Sequence, residues 1–377
     1  MVKQIIQVIS LIISKIIPIG SVLVFNSFPD FTDNAYAVYK YIIDHQQKFD
    51  SYKLIWLTLN KEKAQELNKL FAIKNEKCRA YCRFTFCSLW YYYRAKYVFC
   101  THGVFGLLKL SQTNKIINLW HGMPLKGIGV FDKISDNTKA DITVATSDYY
   151  RDIMAKSFRI DIEKVFLTGQ PRNDLLFEMT DFYSFYGIEK DRYSKVGIWL
   201  PTYRRSFIGK LREEGIFQEN KISYLNFNDL ESLDILLQQL KILIIIKIHP
   251  MDFLQTIEFP TYKNVLLLKS LNSNIQLYPL LGSTDFLLTD YSSVWIDYDI
   301  LNKPIGFVMN DIEEYKNDRG LIFDDLENLL PGEILSNTDQ LFNFIYNLDK
   351  VRYKSKNLFN KYKDNNSTAR LLFMLNL

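Results

Sequence analysis

Apolar residues in this chain fall mostly in short unbroken runs, each followed by a polar cluster or a helix-periodic stretch. In the first half Val22–Phe25, Lys53–Thr58, Tyr97–Cys100, Ile116–Trp120, Ile142–Thr146 and Val165–Thr168 read as strands buried on both faces. Helical spacing separates them over Ala35–Lys48, Lys61–Phe71, Ser88–Lys96 and Ser147–Ser157. The polar, aromatic stretch Phe177–Ser194 interrupts the pattern, which then restarts. Lys195–Leu200, Ile242–Ile248, Val265–Lys269, Asp285–Leu288 and Pro304–Val308 read as strands. Asp229–Lys241, Asn274–Leu280, Val294–Leu301, Thr338–Leu348 and Tyr353–Leu375 read as helices. A charged loop with Gly209 and Gly215 follows the first of these strands, and its composition suggests mobility. Such alternation predicts an α/β fold of two doubly wound parallel-sheet domains. The expected division is an amphipathic helix over 1–20, one domain over 21–180, a second over 190–350 and a C-terminal helix over 351–377.

The first 19 residues carry a second pattern. Lys3, Gln4, Gln7, Ser10 and Ser14 form one stripe at helical spacing, and isoleucine, leucine and valine fill the rest. Pro18 and Gly20 stop the helix. It is shorter than the ~20 residues of a membrane span and is split by polar residues. No small-residue cleavage site follows, which argues against a secretory signal. Two readings stay open: the helix lies on a membrane surface, or it packs as core.

Composition narrows the class. At 377 residues, 48% hydrophobic and 23% charged, the chain is globular and long enough for about two cores. A net charge of +4 suits an anionic substrate or a lipid surface, but lacks the dense basic stripe of a nucleic-acid binder. Cys78, Cys82, Cys87 and Cys100 cluster without a C-x-x-C pair or a following histidine at finger spacing, so they read as reduced thiols of a cytoplasmic protein.

The candidate chemistry sits where apolar runs stop. Ile116–Trp120 ends at His121-Gly122, with Pro124 and Lys126 behind it. A strand fixes the root of the imidazole, Gly122 permits close approach, and histidine has the proton affinity of a base near neutral pH. By itself the dipeptide reads as a turn at a strand end; the other strand-end clusters change that. These are Gly169–Asp174 with Arg172 and Asn173, Thr202 with Arg204, His249, and Thr289–Ser293. Arginine clamps two phosphate oxygens at once. Ser292 and Ser293 precede a helix, where free N–H groups favour an anion, although either would equally serve as its cap. Asp290 would repel phosphate, so it is expected to accept from a ligand hydroxyl or to fix its loop. His249 could stabilise charge on a leaving phosphate. In open parallel sheets ligands bind beyond the carboxyl ends of the strands, so these clusters are expected to converge on one cleft between the domains. Asp297 and Asp299 point to different sides of a helix, so no metal set is formed. There is no P-loop and no G-x-G-x-x-G, and no cofactor is expected.

Taken together, WHGMPLKGIG, TGQPRND, LPTYRR, KIHP and TDYSSVWIDYDILNKPIGF resemble, in order, the motifs of the CDP-glycerol glycerophosphotransferase family, the teichoic acid polymerases and primases of bacterial envelopes. The first and last of these segments are the specific ones. The resemblance implies a GT-B fold of two Rossmann-like domains, with a CDP-alditol bound mainly by the C-terminal one. It implies His121, the essential histidine of the W-H-G motif, as general base and His249 as the histidine of the H-P motif. Gly122, Lys126, Arg172, Asn173, Thr202, Arg204, Thr289, Asp290, Ser292, Ser293 and Asp297 would line the substrate site. Met123 and Gln170 depart from the family pattern, and the first 110 residues carry no matching motif. The implied reaction moves alditol phosphate from CDP-glycerol or CDP-ribitol to a hydroxyl of a glycan or polyol-phosphate acceptor, free or lipid-linked, and releases CMP without a metal. The implied place is the cytoplasm or the inner face of the cell membrane. A GT-B glycosyltransferase of capsule or wall polysaccharide synthesis is the alternative. A non-catalytic, polyanion-binding envelope protein would leave the order of the clusters unexplained.

Overall fold

The computed structural model describes all residues except 1, 132–139, 205–220, 251, 272–274, 324, 352, 354 and 356. The loop with Gly209 and Gly215, together with Arg205, lies outside the described residues. The chain divides into two compact units. The first comprises Met1–Met123, Ile128–Leu175 and Asp364–Leu377; the second comprises Pro124–Gly127 and Leu176–Lys363.

The first unit holds a seven-stranded parallel sheet. Its strands are β1 (Val22–Asn26), β2 (Lys53–Thr58), β3 (Cys78–Cys82), β4 (Tyr97–Cys100), β5 (Lys115–Asn118), β6 (Ile142–Ala145) and β7 (Val165–Leu167), in the order β3-β2-β1-β4-β5-β6-β7. The apolar runs were sufficient to form it because both faces are covered. Leu23, Phe25, Trp56 and Phe99 pack on one side with helix Asp33–Asp44, and Val22, Val24, Ile55 and Val98 pack on the other with Tyr92. The order reverses between β1 and β4, and in sheets of this type that crevice is where ligands bind.

The second unit holds six parallel strands: β8 (Lys195–Leu200), β9 (Ile242–Lys247), β10 (Val265–Leu268), β11 (Phe286–Thr289), β12 (Ile305–Val308) and β13 (Glu333–Leu335), ordered β10-β9-β8-β11-β12-β13. Here the reversal falls between β8 and β11. Their ends lead into Thr202 and Arg204 on one side and Asp290–Ser293 on the other.

Several elements differ from the sequence expectation. Strands β3 and β13 were not foreseen, since β3 is a half-exposed edge and β13 is only three residues long. Helix Ile312–Arg319 is polar enough to read as loop. The expected helix Ala35–Lys48 breaks at His45, whose backbone leaves the helical region. Among the described residues of the expected C-terminal helix over 351–377, Ser367–Met374 is the helical part. The Asn- and Asp-rich stretch before it offers side chains that compete for backbone hydrogen bonds. The N-terminal segment forms helix α1 (Val2–Ile16). It docks through its polar stripe. Ser10 Oγ lies 2.8 Å from Tyr93 Oη and accepts from Lys109 N at 2.9 Å, while Ser14 Oγ accepts from Ser111 N at 2.7 Å. Val2, Ile5, Val8, Ile9, Ile12, Ile13 and Ile16 are left exposed, so this helix is not core. No described helix is long and apolar enough to cross a membrane.

Candidate active site

In the first unit the site is built at the ends of adjacent strands β4 and β5. Beyond β5 the chain turns sharply. Trp120 takes a left-handed φ of 55°, which is costly for a bulky residue. It is held there from both sides: its N–H donates to Asn118 Oδ1 at 3.0 Å, and its carbonyl accepts from Asn34 Nδ2 at 2.9 Å. Gly122 follows at φ 132°, a conformation glycine adopts without penalty. Between them the His121 ring lies face to face with His102, centroids 4.0 Å apart and planes 5° apart, and 4.2 Å from the Trp120 ring. Its Nδ1 lies 3.5 Å from the Thr101 carbonyl. A carbonyl only accepts, so that contact places the proton on Nδ1 and leaves the Nε2 lone pair for a substrate. His121 keeps exposed surface, so its ring is set into a dense wall rather than sealed within one. Loss of bulk water, then His102, then Arg172 hold its pKa well below the ordinary histidine value, against a weak upward pull from the Thr101 carbonyl.

Arg172 does not stand open as a phosphate clamp. It is buried, and its Nη1 pairs with Asp33 Oδ1 at 2.9 Å. Its backbone N–H donates to Asn34 Oδ1 at 3.0 Å, so Asn34 ties this segment to the Trp120 turn. Asn173 is fully buried, and its side-chain amide has no hydrogen-bond partner among the described residues. Asp174 caps the C-terminal helix, accepting from Ser367 N and Thr368 N at 2.8 Å each.

In the second unit Asp290 is the organising group. It fixes its loop, one of the two roles the sequence allowed. It accepts from Thr202 N at 3.0 Å and from the Thr202 hydroxyl, and pairs with Arg204 Nη1 at 3.2 Å. Arg204 Nε pairs with Asp311 at 2.9 Å, and the guanidinium lies over the rings of Tyr291 and Tyr315, 5.1 and 5.3 Å away. Those rings stack at 3.9 Å. Burial opposes the Arg204 charge, but the two carboxylates more than offset it and its pKa is raised. Arg204 is thus a buried structural cation, with its charge balanced inside the protein. Burial also raises the pKa of Asp290, against Arg204 and Thr202.

The remaining residues divide. Thr289 stitches β11 to β8 through its hydroxyl, 3.0 Å from the Leu200 carbonyl. Asp297 is buried and accepts from Tyr278 Oη at 2.6 Å. Ser292 and Ser293 are half-buried; Ser293 makes no side-chain cap, and Ser292 Oγ accepts from Val294 N at 3.4 Å. His249 is half-buried with its ring 4.9 Å from Tyr203. Lys126 Nζ sits 5.0 Å from the Tyr315 ring centre, and its segment is anchored by Ile322 N donating to the Leu125 carbonyl at 2.9 Å.

His102, Asp33, Asn34, Asp252 and Asp311 escaped the sequence reading. His102-Gly103 repeats the His121-Gly122 pattern one strand earlier, and that was the available signal. Asp252, three residues past His249, is buried, and burial pushes its carboxyl up to about 6. Little local marks Asp33, Asn34 or Asp311, whose partners Arg172, Trp120 and Arg204 lie 139, 86 and 107 residues away.

The first unit thus presents an exposed imidazole at a strand end, and the second carries half-buried Ser292, Ser293 and His249 beyond its strands. Comparison with known proteins identifies the family. Residues 14–376 match the CDP-glycerol:poly(glycerophosphate) glycerophosphotransferase family. The teichoic acid glycerol-phosphate primase of Bacillus subtilis is 32% identical over 307 residues, covering 72% of this chain and 71% of that protein. The teichoic acid poly(glycerol phosphate) polymerase of Bacillus spizizenii is 27% identical over 349 residues, covering 86% and 82%. The solved structure of the wall teichoic acid polymerase TagF matches with a TM-score of 0.76 at 22% identity, over 95% of this chain and 89% of that one, and shows the shared GT-B-like fold. The chain belongs to the CDP-glycerol:poly(glycerophosphate) glycerophosphotransferase family of transferases.

Proposed function

We propose that this enzyme transfers glycerol phosphate from CDP-glycerol to a hydroxyl of a teichoic-acid-type or envelope-glycan acceptor. The observation that carries the reading is the His121 ring, solvent-accessible at a strand end with its Nδ1 toward the Thr101 carbonyl; a pKa well below the ordinary histidine value favours its uncharged form. His121 Nε2 takes the acceptor hydroxyl proton. The acceptor oxygen bonds to the glycerol-bearing phosphorus, and the bond from that phosphorus to the bridging oxygen breaks. CMP leaves with the electron pair. His249, Lys126 and the hydroxyls of Ser292 and Ser293 meet the pyrophosphate and the charge that grows on CMP. Asn173, with its amide unsatisfied by the described residues, is assigned to a substrate hydroxyl or phosphate oxygen. Arg172, Arg204, Thr202, Thr289, Asp290 and Asp297 shape the two half-sites without touching the reacting atoms.

CMP release from CDP-glycerol, CDP-ribitol and a panel of nucleotide sugars, each with extracted envelope glycans, tests the donor. CDP-glycerol is expected to be turned over fastest. Preference for CDP-ribitol would move the chain toward its relatives that are ribitol-phosphate polymerases. Turnover of a nucleotide sugar alone would overturn the phosphotransferase reading.

The acceptor side of the proposal includes a lipid surface. Helix α1 turns its serines inward and its isoleucines outward, which suits insertion into the head-group region. Each aliphatic side chain buried there contributes about 1.5–3 kcal/mol. The double variant Ile9→Glu with Ile12→Glu is therefore expected to lose flotation with phospholipid vesicles while keeping the wild-type melting temperature. A wild-type protein that does not float sinks the idea.

A further inference from the structure

His102 belongs to none of the segments that carry the family resemblance, yet among the described residues its ring lies nearer to that of His121 than even Trp120 does. The two rings are parallel within 5° at 4.0 Å. Among the described residues His121 has one side-chain hydrogen bond, long at 3.5 Å, so the stacked ring is a second constraint on its plane. His102 is itself fixed. Its Nδ1 lies 2.9 Å from Thr101 Oγ1, and the Phe28 ring meets it edge-on at 5.7 Å. Thr101 thus serves both rings, through its hydroxyl for His102 and its carbonyl for His121.

We propose that His102 is a positioning residue for the transfer reaction: it fixes the plane of the His121 ring and, as a second ionisable ring in contact with it, opposes the gain of a charge there. The inference rests on the reading of His121 as base. Ionisable groups from four elements face the pair, and they do not all act in one direction. Arg172, from the segment after β7, disfavours a proton on both rings. Asp33, at the start of helix Asp33–Asp44, draws one toward His102, but burial and Arg172 prevail and the His102 pKa is lowered. The ends of β4 and β5 supply the two histidines themselves. Each ring therefore makes protonation of its neighbour less favourable. A base built this way is uncharged when acceptor arrives, and once it holds the acceptor proton it is driven to release it.

The acid limb of the rate profile reports the pH at which His121 gains its proton. With His102 in place that limb lies below the ordinary histidine value of about 6.5. Removing His102 removes one of the three influences holding the His121 pKa down, so the limb moves to higher pH.

The experiment uses the full chain with two substitutions. His102→Phe keeps a flat ring against His121 but removes its charge. It is expected to lower kcat at neutral pH less than alanine does, while the acid limb moves up. His102→Ala also removes the stacking wall. It is expected to lower kcat roughly ten- to a hundredfold and to move the limb further, with KM for CDP-glycerol little changed. Imidazole NMR titration gives an answer independent of turnover. The chain has four histidines, so His121 is assigned from one variant spectrum. A merely structural role would lower stability and rate without moving the titration. His121 titrating alike in wild type and His102→Phe overturns the inference. His121→Ala run alongside separates the two readings: full activity there removes the base itself, whereas an inactive His121→Ala with an unmoved His102→Phe limb removes only the role of His102.

Discussion

Replacing His121 by alanine is expected to slow CMP release from CDP-glycerol by about 10²–10⁴, the usual contribution of a positioned general base. The loss should fall on kcat, because the imidazole acts on the acceptor proton and not on the donor. Folding should be spared: the residue is exposed, and the Trp120 turn beside it is held by Asn118 and Asn34. His121→Asn is expected to be as inactive, since its amide nitrogen cannot accept a proton. Steady-state kinetics with CDP-glycerol and envelope extract decide the matter. A variant within about threefold of wild type would show that proton removal is done elsewhere, because a base worth so little lies outside the range cited above.

Asp290→Ala is expected to destabilise the second unit by about 3–5 kcal/mol, the range for breaking a buried ion pair from one side. Arg204 would keep only Asp311, and the Thr202 backbone N–H would lose the acceptor it now meets at 3.0 Å. Asp290→Asn keeps the shape and an acceptor oxygen, so its loss should be smaller. The pH dependence has a definite sign. Burial raises the Asp290 pKa above 3.8, so the part of stability linked to its protonation is present below that value and fades as pH rises through the folded pKa. Urea unfolding of both variants at two pH values measures this. A loss below about 1 kcal/mol for alanine, the ordinary cost of a substitution, would mean that Arg204 is satisfied without it.

Much of the architecture was legible because it rests on local pattern. A run such as Ile242–Lys247 has few fates other than a buried strand, and its neighbours follow from alternation. The site was legible in part for the same reason. His121, Thr202 and Asp290 all lie just beyond strands, where an open parallel sheet exposes its ends. Their partners were not legible. Arg172 read as a clamp because nothing nearby announces Asp33, 139 residues earlier. Arg204 read the same way because Asp311 lies 107 residues later. An arginine's freedom is a property of the folded surroundings, and sequence proximity says little about it. Helix α1 shows the converse. Its two-sided pattern was plain, but the pattern does not say which side faces the protein, and here it is the serines.

Neither lobe is one continuous stretch of polypeptide. Leu371, Leu372 and Leu375 complete the core built on Leu23 and Phe25, while Pro124–Gly127 is counted with the other lobe. Exchanging a lobe between two relatives therefore needs four junctions, at 123/124, 127/128, 175/176 and 363/364. A chimera joined once near residue 175 would combine a foreign C-terminal helix with a native hydrophobic interior. Recombination within such genes is penalised by that topology, so new donor or acceptor preferences should accumulate by point substitution around the strand ends rather than by shuffling of halves.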